Sequence, residues 1–76
     1  MYQVNYTEWA NDYLKTANRI NDRIISLKER KKHTDNFIDK LNIDYNINQF
    51  RLRRDECIRT ANMLFKRAEK SKEQDV

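Results

Sequence analysis

Seventy-six residues with 16 basic and 12 acidic side chains, a net charge of +4 and neither glycine nor proline confine the chain to one small domain without tight backbone turns. Glycine-rich phosphate loops, nucleophile elbows and two-residue hairpins each need a backbone that glycine adopts at low cost, so helices joined by short polar connections remain. The single cysteine and single histidine exclude an internal disulfide and leave no ligand set for a structural zinc.

A chain of this length buries only about 60% of the surface that its unfolded form exposes. Partner chains are therefore the expected reinforcement, with idealised helix packing inside a monomer as the rival. The N-terminal MYQVNYTEW lacks a basic region followed by an apolar core, so no signal peptide is expected. The longest apolar run, Met63-Leu64-Phe65, falls far short of the roughly 20 residues that cross a bilayer. The expected location is the cytoplasm, with Cys57 reduced and no membrane partner.

The first helix announces its start. Asn5 and Glu8 stand at the two positions of a capping box, and Val4 and Trp9 at those of a hydrophobic staple. Apolar residues then recur at alternating steps of four and three through Tyr6, Ala10, Tyr13, Ala17, Ile20, Ile24 and Leu27. Two polar steps follow at Lys31 and Thr34, after which the rhythm resumes at Ile38, Leu41 and Tyr45. This is the seam of a helix packed against another helix.

A second seam runs through Ile43, Ile47, Phe50, Arg54, Cys57, Ala61, Leu64 and Ala68, flanked by Ile58 and Phe65. On a helical wheel it lies opposite Phe37, Ile38, Leu41, Tyr45 and Leu52, so the buried face changes between residues 42 and 50. Two architectures account for that. In one, NIDYN (42–46) is the turn and Asn46 caps the next helix, with Leu41 near Ile47, Ile38 near Phe50 and Thr34 near Arg54. In the other, KKHTD (31–35) is the turn, Thr34 is the cap, and a long helix runs from about 35 to 70. Its early face then packs on the first helix, pairing Leu27 with Ile38, Ile24 with Leu41 and Ile20 with Tyr45. The stripe from Ile47 to Ala68 is left for another chain. Asn and Asp in mid-helix count against it by roughly a few tenths of a kcal/mol each. Both give an all-α antiparallel hairpin, two long helices with room for a third short one, in a single domain over 1–76 with 71–76 as a frayed tail.

RLRRDECIR, residues 51–59, carries four arginines. Arg51, Asp55 and Arg59 fall one helical turn apart, the spacing of a solvated ion-pair ladder. Arg54 lies on the apolar seam, where its stem covers the core and its head reaches outward. Lys28, Arg30, Lys31 and Lys32 spread around the helix, and Lys15, Arg19 and Arg23 make a cleaner line with Asp12 and Asp22 beside it. No helix-turn-helix and no basic zipper is recognisable.

Other candidates have bland accounts. Tyr6 and Tyr13 are seam residues, Trp9 a staple, and Cys57 an apolar-stripe thiol of the kind that stays inert. His33 near Asp35 suggests acid–base chemistry only with a shielded cleft, which a slim hairpin scarcely provides. Asp35 and Asp39 do not resemble a calcium loop.

The sequence thus predicts a non-enzymatic interaction protein with no cofactor, no metal and no catalytic residue. It self-associates into a four-helix bundle or coiled-coil-like homodimer and presents a protein-binding surface. The expected interface is Ile47, Phe50, Cys57, Ile58, Ala61, Leu64, Phe65 and Ala68. The alternatives are a small basic nucleic-acid accessory protein of a phage or mobile element, using Arg30, Lys31, Arg51, Arg53 and Arg54, or a small inhibitor of a larger host protein.

Overall fold

A computed structural model describes residues 5–74. They form two antiparallel helices, α1 (Tyr6–Lys32) and α2 (Phe37–Gln74), joined by a short connection. The hairpin is a rod with principal extents of 61 × 17 × 13 Å. No helix among the described residues is long and apolar enough to cross a membrane.

The start of α1 follows the capping expectation. The Asn5 side chain accepts a hydrogen bond from the Glu8 backbone N–H at 3.0 Å, satisfying one of the donors that a helix start leaves unpaired. Val4, the other half of the expected staple, lies outside the described residues, as does Tyr2. Trp9 packs obliquely against Tyr13, with ring centroids 6.5 Å apart.

The turn lies at His33–Asn36, which corrects the reading that placed it at 42–46. It also corrects the cap. Thr34 closes α1, its hydroxyl donating to the Arg30 carbonyl at 2.9 Å and its backbone N–H to the Lys31 carbonyl at 3.3 Å. Asn36 opens α2 by accepting from the N–H groups of Ile38 (2.9 Å) and Asp39 (3.3 Å). Basic residues Arg30, Lys31 and Lys32 in the last turn of α1 and acidic Asp39 in the first turn of α2 each oppose the local end of the helix dipole.

Residues 42–48 remain helical although four of them are Asn or Asp. Each costs about 0.5 kcal/mol of propensity against alanine, roughly 2 kcal/mol together. Ile43 and Ile47, from the same segment, are buried against Ile24, and full burial of an isoleucine contributes about 1.5–3 kcal/mol. Packing wins, and α2 runs on through Gln74, into the stretch expected to fray.

Two apolar clusters hold the rod. Near the turn, Ile24, Ile43 and Ile47 are buried with Ile20, Leu27 and Phe50 around them. Toward the open end, Ala10, Ala61 and Leu64 are buried with Tyr6, Tyr13, Leu14 and Phe65 packed on them. The α1 seam therefore lies where the four-three spacing put it. On α2 the packed face is the opposite of the one expected for a long helix starting near residue 35, in which Ile38, Leu41 and Tyr45 would meet α1. The stripe from Ile43 to Ala68 faces α1, and Ile38, Leu41 and Tyr45 point away from it.

Length gives the physical reason. At about 1.5 Å per residue, the α1 seam from Tyr6 to Leu27 needs a partner stripe some 30 Å long. The Ile43–Ala68 stripe is that long, whereas Phe37–Leu52 covers only about two thirds of it.

Candidate functional site

The residues expected to meet another chain are mostly taken up inside the hairpin. Ile47, Ala61 and Leu64 are buried, Phe50, Cys57, Phe65 and Ala68 half-buried, and only Ile58 reaches the exposed rim. Their assignment as a surface for a partner is corrected accordingly: this stripe is the intramolecular seam.

The unpartnered surface lies on the other side of α2. Phe37, Ile38, Leu41, Tyr45 and Leu52 are 71%, 67%, 52%, 64% and 62% exposed. From Ile38 the steps are three, four and seven, and exposed Asn48 divides the last into three and four. That is the spacing of a helix–helix seam, here with none of the described residues packed against it. At about 100° per residue this outer stripe and the inner seam are roughly 180° apart around α2.

A polar crossbar divides the two inner clusters. Arg54 stands on the seam with its side chain 28% exposed, donating from Nη1 to Asn21 Oδ1 on α1 at 2.9 Å. Its Nε approaches Asp55 Oδ1 at 3.4 Å. The stem-in, head-out disposition expected for Arg54 is therefore present. The ladder expected through Asp55 is not, because Asp55 turns to Arg54 rather than to Arg51 and Arg59. Asn21 was missed by the sequence reading. A lone asparagine beside a seam carries no signal until the register sets it across from an arginine.

The remaining basic residues do not share one face. Lys31 pairs with Asp44 at 2.8 Å, and both line an open groove with Lys28, Lys32, Asn48 and Arg51. Arg30 lines different grooves, with Arg23, Leu27 and Phe50 in one and Thr34 and Asp39 in another. Arg53 is exposed. Of the five arginines and lysines singled out for nucleic acid, only Lys31 and Arg51 are brought together.

Among the described residues, the grooves beside the titratable side chains are open ones. His33 is exposed at the end of α1, and its Nε2 lies 3.2 Å from Glu29 Oε1 rather than beside Asp35. Cys57 is half-buried on the seam. Among the described residues no group of three or more His, Cys, Asp or Glu side chains is placed to hold a metal ion. Comparison with protein-family models, with curated proteins and with solved structures returns no match, so the functional reading rests on this geometry alone.

Proposed function

We propose that the chain is a non-enzymatic helical interaction protein that self-associates and offers a protein-binding surface, its working part being the outer stripe of α2. One observation carries this. Four large apolar side chains, from Ile38 to Leu52, stand more than half exposed at seam spacing with Phe37 beside them, on a helix whose other face is already satisfied. Contiguous exposed apolar surface of this kind marks interaction sites.

Sedimentation velocity across low to high micromolar concentration tests the reading. The expected result is a concentration-dependent dimer, with Leu41→Asp plus Tyr45→Asp holding the chain monomeric and helical. A wild-type chain that stays monomeric to high micromolar would remove it.

A second reading, contact with phosphate-bearing nucleic acid, is favoured by the groove in which Lys28, Lys31, Lys32 and Arg51 surround the single acid Asp44. Its signature is affinity that falls steeply with salt. Absence of DNA or RNA binding at low salt would dismiss it.

A further inference from the structure

We infer that the partner of the outer stripe is a second copy of this chain, docked antiparallel, α2 against α2, about a two-fold axis between residues 46 and 47. The inference rests on the self-association just proposed and specifies its geometry. It departs from the expected four-helix bundle. In a bundle each helix turns neighbouring faces toward a shared core. Here the inner seam and the outer stripe of α2 lie on opposite sides, so two hairpins meeting through α2 make a flat layer in the order α1, α2, α2, α1, with three separate seams.

Spacing limits the register to steps of one heptad, and the flanking charges choose among them. Assigning Ile38, Tyr45 and Leu52 to one core position of the heptad and Leu41 and Asn48 to the other, an antiparallel pair sets first-type positions opposite second-type ones. Leu41 then meets Leu52 of the second copy, and Tyr45 meets its Asn48, each contact occurring twice by symmetry. In this orientation like flanks oppose one another. Asp44 falls beside Arg51 of the second copy, and Phe37 beside its Ile58.

The charges on that flank suit the arrangement. Arg51 has no acidic partner within its own chain among the described residues, and Asp44, although paired with Lys31, remains half exposed. Asp55 would face Ile38 of the second copy at the ends of the overlap, where water still reaches it. A parallel pair would instead stack Asp55 on Asp55 and Arg59 on Arg59 in the core line, which like-charge repulsion opposes. The area is also adequate. Five side chains with these exposures present on the order of 600 Å² per chain, so a symmetric pair buries up to about 1,200 Å², where specific interfaces begin.

Disulfide trapping in a Cys57→Ala background tests the geometry separately from association. Leu41→Cys and Leu52→Cys are prepared singly, mixed and oxidised in air. The expected outcome is a mixed disulfide at least tenfold in excess of either self-disulfide, because residues 41 and 52 are opposed only in the antiparallel pair. Self-disulfides predominating, or a statistical mixture, would overturn it.

Charge reversal gives an independent reading by sedimentation. Asp44→Arg should weaken the dimer at least fivefold, and adding Arg51→Asp should recover most of the loss; no recovery argues against the register. Should wild-type sedimentation show a dimer while the mixed disulfide fails to form, self-association stands and this docking falls. A wild-type monomer removes both.

Discussion

Arg54 and Asn21 illustrate what one polar pair does inside an apolar seam. The hydrogen bond between them, 2.9 Å long and half sheltered from solvent, interrupts the apolar line between the Ile24 and Ala61 clusters. A slipped hairpin would leave a guanidinium without its acceptor against apolar side chains, so the pair helps to fix register. Hydrogen bonds to charged groups contribute about 1.5–3 kcal/mol, and partial exposure of Arg54 lowers that to about 1 kcal/mol. A double-mutant cycle with Asn21→Ala and Arg54→Ala, followed by urea unfolding, should return a coupling of about that size. A coupling near zero would show that the two residues act independently. Arg53, exposed and without a contact across the hairpin, should tolerate alanine within about 0.5 kcal/mol. Arg54 was placed on the seam by spacing alone. Its partner was not, because pairing across helices depends on a register that spacing leaves open.

At the scale of the element, the two helix starts were unequally legible. Asn5 with Glu8 and Asn36 with Asp39 share one logic, a side-chain acceptor followed three residues later by an acid. The second was obscured by Thr34, an equally good cap by residue type, whose hydroxyl instead serves the end of α1. Asn36→Ala should therefore cost about 1 kcal/mol in urea or thermal unfolding, and Thr34→Ala distinctly less. Equal losses would mean that the two caps had been assigned the wrong weights. The NIDYN segment misled for a different reason. Propensity describes a helix alone, and Ile43 and Ile47 within that segment are not alone.

For the whole molecule, the decisive point is which face of α2 is spent within the chain. Leu64 lies in the inner seam, 2% exposed, and Leu52 in the outer stripe. Leu64→Asp should abolish cooperative unfolding and much of the helical circular dichroism, because it buries a charge without a partner. Leu52→Asp should leave helicity at low concentration nearly unchanged and act on association instead. Identical behaviour of the two variants would contradict the division between faces. The outer stripe is the one that the hairpin leaves bare.

The sequence by itself determined that the chain is helical, that it folds back once, where α1 begins and which line of α1 is apolar. Absence of glycine and proline and a strict four-three rhythm suffice for these, since they depend on local backbone and periodicity. It also revealed two apolar stripes on opposite sides of α2. Which stripe turns inward was decided by tertiary structure, as was the position of the connection. Both stripes satisfy the same periodicity, and only the match in length between the Ile43–Ala68 stripe and the α1 seam, closed through the Arg54–Asn21 bond, separates them.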